Sequence, residues 1–179
     1  MCSERTHQFD VASGGSELER ADTEVARGHA SHHVTRDLGV STIDISQDSV
    51  AGLDHLQYVV SVSDTHSRHN AGLGTDGAMA EFAVVADRAR AAGAVVEVTL
   101  ATAMGCPFEH RVDPARVVGL ARRAVEAGAS SIGLADTIGV AVPTEIAFLL
   151  DQVVPAVDVA VGMHLHDTRG VAIANAIAA

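Results

Sequence analysis

The chain has 179 residues, of which 47% are hydrophobic and 3% aromatic, and its formal net charge is −11. This composition indicates one folded domain with an aliphatic core, and the negative charge without a basic patch argues against nucleic acid as a partner. No apolar stretch approaches the roughly 18 residues of a membrane span. Because the N-terminus lacks an apolar signal region and two cysteines make no disulfide framework, we expect a cytoplasmic protein.

The first 50 residues are polar and give little regular pattern. A short helix around Glu17–Arg27 and a short strand at Thr42–Ile45 are compatible with the sequence. The segment also carries the histidines His29, His32 and His33, which we interpret as solvated because no apolar pattern supports them. We therefore predict an irregular polar N-terminal segment over residues 1–50.

From residue 51 onward the pattern becomes a regular alternation of strands and helices. Strands are predicted at Leu56–Ser63, Val95–Ala101, Ser131–Ala135 and Val157–Leu165. Helices are predicted at 76–92, Asp113–Ala127, Pro143–Val154 and Gly170–Ala179.

Four consecutive βα units imply an α/β fold with parallel strands and right-handed crossovers. A doubly wound open sheet and a (β/α)8 barrel both fit this alternation. No G-x-G-x-x-G follows a strand, which disfavours a dinucleotide-binding sheet. Polar clusters at the ends of all four strands favour the barrel, where catalytic residues gather at that end.

The segment Met163-His164-Leu165-His166-Asp167-Thr168 closes the last predicted strand. Because side chains alternate along a strand, His164 and His166 point to the same face and can bind one cation together. A structural role for this His-x-His is the alternative that the spacing alone leaves open.

Three motifs carry a resemblance to a known family, namely Ala103–Glu109, Gly133–Gly139 and His164–Gly170 with the nearby Asn175. In letters, order and spacing they resemble the 3-hydroxy-3-methylglutaryl-CoA lyases, which belong to a group of metal-dependent barrel lyases and synthases that includes isopropylmalate synthase. The resemblance covers about residues 51–179. The sister synthases usually carry His-x-His-Asn-Asp where this chain has His-x-His-Asp-Thr.

The resemblance implies a partial (β/α)8 TIM-barrel domain over residues 51–179, whose four strands correspond to strands four to seven of the family. It implies that His164 and His166 bind Mg2+ or Mn2+ and that Asp136 acts as a catalytic residue near the metal. By the same resemblance, Thr137 hydrogen-bonds the acyl group of an acyl-CoA substrate. The implied reaction cleaves a carbon–carbon bond of a 3-hydroxyacyl-CoA to acetyl-CoA and a keto acid.

Two further positions bear on the choice of substrate. Glu97 and Thr99 share one face of a predicted strand and could line the barrel mouth. Better-known members of the family tend to have a basic residue and an aromatic there. A partly solvated polar pair without a substrate role is the alternative.

Several family features have no clear counterpart in the sequence. The family's first strand carries an Arg-Asp pair, and Arg36-Asp37 follows no apolar run. The family's catalytic cysteine follows the eighth strand, so Cys106 is interpreted as a structural thiol. Asp64, His66 and Arg68 are interpreted as a solvated loop, with a substrate-binding loop as the alternative.

These features leave three hypotheses, namely a metal-dependent lyase, a non-catalytic remnant or interaction subunit of that family, and a related condensing synthase. A partial parallel sheet also leaves unpaired edges. We expect a truncated chain, and the alternatives are that a second copy or a companion chain completes the barrel, or that residues 1–50 cover an edge.

Overall fold

A computed structural model describes residues 54–179 with their side chains, and residues 9–12 and 32–34 as backbone strands. The helix expected at Glu17–Arg27, the strand expected at Thr42–Ile45 and the dipeptide Arg36-Asp37 lie outside the described residues.

The described strands form one parallel sheet. They are β1 (Phe9–Ala12), β2 (His32–Val34), β3 (His55–Ser61), β4 (Val95–Ala101), β5 (Ser131–Asp136) and β6 (Ala160–His166). Their order across the sheet is β1-β6-β5-β4-β3-β2, and every neighbouring pair is parallel. The four strands predicted from the sequence are therefore present as β3 to β6.

Helices follow these strands in the expected alternation. They are α1 (Asp64–Ala71), α2 (Thr75–Ala91), α3 (Pro114–Glu126), α4 (Pro143–Val153) and α5 (Ala172–Ala178). At the start of α3, Asp113 accepts a hydrogen bond from the N–H of Ala115, which is the predicted N-cap beside a proline. None of the helices described here is long and apolar enough to cross a bilayer.

The order of the strands decides between the two predicted architectures. From β3 to β6 each strand lies beside the one that precedes it in the chain, without a reversal. Right-handed crossovers in that order place the connecting helices on the same face of the sheet, whereas a doubly wound sheet needs a point of reversal. The winding is that of a (β/α)8 barrel, of which this chain forms a part, and it confirms the predicted fold class.

The core lies between the sheet and these helices. Tyr58 on β3 packs against Phe82 of α2 with ring centroids 5.6 Å apart, which identifies the helix-covered face of the strand. Fully buried side chains continue this layer across the sheet and onto the helices, among them Val60, Val98, Leu134, Leu165, Phe82 and Ile146. The residues between them along each strand face the opposite side, which we call the inner face.

Two short strands within residues 1–50 lie at the two edges of the sheet. β1 pairs with β6 and β2 pairs with β3. The sequence predicts an irregular polar segment here, and the structure differs by placing these two strands at the otherwise unpaired edges. Open edges favour such pairing because their backbone N–H and C=O groups lack partners.

Candidate active site

The two histidines predicted to bind metal lie side by side at the end of β6. Their Nε2 atoms are 3.1 Å apart, the ring centroids are 5.0 Å apart, and the rings are inclined by 64°. Both side chains are half-buried. The strand thus brings two nitrogen donors to one point, as the alternation of the sequence predicts.

The spacing of these nitrogens fits a shared cation. Two ligands at right angles, each about 2.1 Å from a metal ion, are about 3.0 Å apart. The observed 3.1 Å also fits a hydrogen bond between one protonated and one unprotonated ring nitrogen. Over residues 54–179, no third His, Cys, Asp or Glu joins the pair to make a three-ligand group. The geometry of His164 and His166 is therefore compatible with two ligands of one divalent ion, and their metal role stays a prediction.

Asp136, predicted to act as a catalytic residue near the metal, is buried at the end of β5. Its side chain is 0% exposed, and its two carboxylate oxygens each accept a backbone N–H at 3.0 Å, from Val140 and from Ala141. The strand register puts Asp136 opposite Leu165 and Ala135 opposite His164. Paired residues of parallel strands face the same side, so Asp136 belongs to the helix-covered face and His164 to the inner face.

The loop that Asp136 holds packs against the end of β6. Arg169 donates a hydrogen bond to the carbonyl of Val140 at 3.0 Å, and Asn175 donates one to the carbonyl of Ala141 at 3.0 Å. Gly139 has φ +64°, and a Cβ there would lie 2.9 Å from the carbonyl oxygen of His166. The loop after β5 and the end of β6, which carries His164 and His166, therefore stabilise each other.

Thr137 and Thr99 both have partners within the protein. The hydroxyl of Thr137 accepts the backbone N–H of Thr102 at 2.7 Å, which fixes the left-handed turn of Thr102 at φ 58°. On the inner face, Gln57 donates to Thr99 at 2.8 Å and to Glu97 at 3.0 Å. Their predicted role in substrate binding remains a prediction, and the structure adds that these side chains are held in place.

The network around Glu97 includes two residues that the sequence analysis missed. Besides Gln57 on β3, Ser131 on β5 donates to Glu97 at 3.3 Å. Gly133 leaves room for this network, because a Cβ at that position would be 2.8 Å from the Thr99 hydroxyl. Only strand pairing brings these residues together, although polar residues within apolar strands were a signal that could have pointed to them.

The residues interpreted as a solvated loop form helix α1 instead. Ser63 caps it by accepting the N–H of His66 at 3.0 Å, and Gly72 ends it at φ 71°. His66 Nδ1 lies 2.7 Å from the hydroxyl of Ser61. Burial, and secondly the charge of His69, hold the pKa of His66 below its ordinary value. The helix thus brings the His66 imidazole to the end of β3, in surroundings that disfavour its charged form.

Cys106 has the structural environment that we expect for it. It is 1% exposed, and its Sγ lies 3.0 Å from the hydroxyl of Ser63. The backbone N–H groups of Phe108 and Glu109 both donate to this sulfur at 3.4 Å. Cys106 therefore organises the β4–α3 loop against the cap of α1.

Known proteins resemble this chain in sequence and in fold. The HMGL-like family model matches residues 12–179, a range that begins inside the N-terminal segment. The (R)-citramalyl-CoA lyase of Chloroflexus aurantiacus is 42% identical over 132 residues, covering 73% of this chain and 42% of that protein. This chain therefore spans about two fifths of the length of that relative.

Solved structures agree with this assignment. The HMG-CoA lyase of Bacillus subtilis superposes with a TM-score of 0.69 at 31% identity, over 71% of this chain and 43% of that one. An HMG-CoA lyase from Acinetobacter baumannii, solved in complex with coenzyme A and 3-methylmalate, superposes with a TM-score of 0.66 at 28% identity. The match covers 70% of this chain and 41% of that one. Together with the paired histidines and the barrel winding, these matches show that the chain belongs to the HMGL-like family of lyases.

Proposed function

We propose that this chain carries the metal-binding part of a divalent-metal-dependent lyase that cleaves a 3-hydroxyacyl-CoA to acetyl-CoA and a keto acid. The observation that supports this most directly is the 3.1 Å separation of the His164 and His166 Nε2 atoms at the carboxyl end of a barrel strand. The names of the relatives suggest hydroxymethylglutaryl-CoA and citramalyl-CoA as candidate substrates. Both are thioesters in which one of the two carbons of the bond that breaks carries a hydroxyl.

The metal site would work through the two imidazoles and the loop behind them. Mg2+ or Mn2+, when bound, supplies a Lewis acid for the hydroxyl and carbonyl oxygens of the substrate. His164 and His166 hold the ion at a fixed point, because β6 is supported by the loop after β5. We assign Asp136 as a positioning residue in this loop, since both its oxygens are engaged by backbone N–H groups. This differs from the catalytic role that the resemblance implies.

Substrate selection is assigned to the inner face. Glu97 and Thr99 lie on the inner face of the sheet, which is also the face of His164 and His166. Gln57 holds both side chains in one arrangement. Fixed acceptors and donors discriminate among substrates that differ in polar groups, because a mismatch leaves a buried polar atom unpaired. We place Thr137 at the edge of the same site, where it orders the turn at Thr102.

The proposal is tested by metal binding and by product formation. Mn2+ binding, followed by electron paramagnetic resonance, is expected to weaken more than about 100-fold in His164→Ala, since loss of an outer partner alone costs 10–100-fold. His69→Ala, which removes an exposed imidazole of α1, is the matched control and should bind Mn2+ as the unchanged chain does. Equal Mn2+ affinity of His164→Ala and the unchanged chain would discard the metal site.

Product formation separates the lyase from the other family hypotheses. Hydroxymethylglutaryl-CoA and citramalyl-CoA are each incubated with the chain and Mn2+ or Mg2+, and released acetyl-CoA is measured. Acetyl-CoA formation that His164→Ala abolishes supports the lyase. Tight Mn2+ binding without acetyl-CoA from either thioester would discard the lyase and leave a non-catalytic member of the family or a condensing synthase.

A further inference from the structure

A hydrogen-bonded serine and histidine lie at the end of β3, outside the metal site. The Ser61 hydroxyl and His66 Nδ1 are 2.7 Å apart, and Ser61 is 5% exposed. Within residues 54–179 the described partner of this hydroxyl is His66 alone. The Ser61 carbonyl accepts a separate hydrogen bond, from the hydroxyl of Thr75 at 2.9 Å. Helix α1 has its own N-cap in Ser63, separate from this pair.

The burial of Ser61 selects one tautomer of His66. If the hydroxyl only accepted, its proton would be buried without an acceptor, which is unfavourable. Donation from Ser61 to Nδ1 satisfies the hydroxyl and leaves the ring proton on Nε2. Burial lowers the pKa of His66 and so favours the uncharged ring, in which Nε2 is a hydrogen-bond donor.

The pair lies on the same face and at the same level as the metal-binding histidines. The residues Val59, Thr99, Gly133 and Gly162 are register partners across β3 to β6. Ser61 and His164 each lie two residues further along their strands, so their side chains rise from the same face at the same height. Three interstrand spacings, about 14 Å in all, separate Ser61 from His164, which is within the length of an extended acyl-CoA arm.

An exposed aromatic surface adjoins this imidazole. The ring of Phe108 lies 6.1 Å from the ring of His66 and stacks on His69 at 4.6 Å with an angle of 14°. Phe108 is 47% exposed although it is large and apolar. A neutral donor beside an exposed apolar wall matches a ligand that carries uncharged carbonyl groups on an alkyl chain.

We propose that His66, held by Ser61, is a substrate-contact residue that donates a hydrogen bond from Nε2 to a carbonyl oxygen of the acyl-CoA arm, with the Phe108–His69 stack as the wall beside it. The choice of acyl-CoA as ligand rests on the proposed function. The carbonyl belongs either to the thioester or to an amide of the pantetheine arm, and free coenzyme A, which lacks the thioester, distinguishes the two.

The tautomer is measured first, in the full chain with 15N-labelled histidine rings. NMR of the unchanged chain is expected to show His66 protonated on Nε2 and unprotonated on Nδ1. Addition of acetyl-CoA should shift the Nε2–H signal, and free coenzyme A should reproduce the shift only if an amide is the acceptor. A ring protonated on Nδ1, or a signal that neither compound moves, overturns the proposal.

Binding of acetyl-CoA by three variants tests the donor itself. His66→Phe keeps a ring but removes the donor, and its Kd should rise about tenfold, the factor that one net hydrogen bond supplies. His66→Gln restores an N–H near the Nε2 position, and its Kd should return to within about threefold. His55→Phe, the same exchange at the amino end of β3 and away from the proposed site, is the control and should leave the Kd unchanged.

The outcomes separate this proposal from the proposed function. If no thioester is cleaved while acetyl-CoA binds and His66→Phe weakens its binding, the lyase assignment fails and the subsite stands. If cleavage proceeds and His66→Phe changes neither Kd nor KM, the subsite is wrong and the lyase stands. In an active enzyme, His66→Phe should raise KM and leave kcat within about twofold if an amide of the arm is the acceptor. If the thioester carbonyl is the acceptor, kcat should fall as well, because enolate charge develops on that oxygen.

Discussion

Replacement of Asp136 tests whether this carboxylate acts in the loop or in the chemistry. Asp136→Ala removes the acceptor of two backbone N–H groups, one of them in the buried residue Ala141. Each hydrogen bond to a charged group contributes about 1.5–3 kcal/mol, and water can replace the partner of the half-buried Val140 only in part. We therefore expect the free energy of unfolding to fall by about 3–5 kcal/mol.

Urea unfolding followed by circular dichroism measures this loss, and two variants serve as controls. Asp136→Asn keeps the shape and one carbonyl oxygen, so it should lose about half as much stability. Asp167→Ala removes a carboxylate that accepts one N–H, from Ala172, and should lose about 1 kcal/mol. The ordering Asp136→Ala, Asp136→Asn, Asp167→Ala from largest to smallest loss follows from the hydrogen bonds alone.

A different pattern would refute the positioning role. If Asp136→Asn unfolds in urea as the unchanged chain does, yet kcat falls by orders of magnitude with Mn2+ binding intact, the carboxylate takes part in the reaction. The catalytic role implied by the resemblance would then hold, and the loop contacts would be incidental to it.

Two further predictions concern charge and packing. The Glu109 carboxylate accepts the backbone N–H of Thr65 at 2.9 Å, and this hydrogen bond is the main reason that the pKa of Glu109 falls from 4.5 to about 2. The stability that this carboxylate contributes is present above pH 4.5 and is lost as the pH falls toward 2. The free energy of unfolding of Glu109→Gln should therefore decline less over that pH range than that of the unchanged chain. An equal decline in both would contradict the prediction. Gly133→Ala places a Cβ 2.8 Å from the Thr99 hydroxyl and should lose about 1–3 kcal/mol in urea unfolding. Adding Thr99→Ala should recover part of that loss, and strictly additive losses would show that the two positions do not touch.

The regular elements from residue 54 onward were largely predictable because their apolar spacing is strong. Val95–Ala101 matches the predicted strand, and Pro114–Glu126 follows the predicted cap and proline. Helix α1 was missed because its residues are polar and Ser67 is its one buried residue. A serine before the helix and a glycine after it were the available signals, and both act as caps in the structure.

The candidate site was predictable only in the part that lies on a single strand. His164 and His166 are two residues apart, so the alternation of a strand was enough to bring their rings together. The network around Glu97 draws on β3, β4 and β5, and the Ser61–His66 contact needs the turn from β3 into α1. Such contacts depend on register and helix placement, which local spacing does not encode.

The sequence by itself determined that strands and helices alternate, and that two imidazoles share one face at the end of a strand, because both follow from periods of a few residues. Tertiary structure alone decided that the strands wind in one direction, that β1 and β2 lie at the edges, and that Asp136 faces the helices rather than the histidines. The physical reason is that a one-residue step along a strand reverses the face of a side chain, and only pairing with a neighbour fixes which face that is.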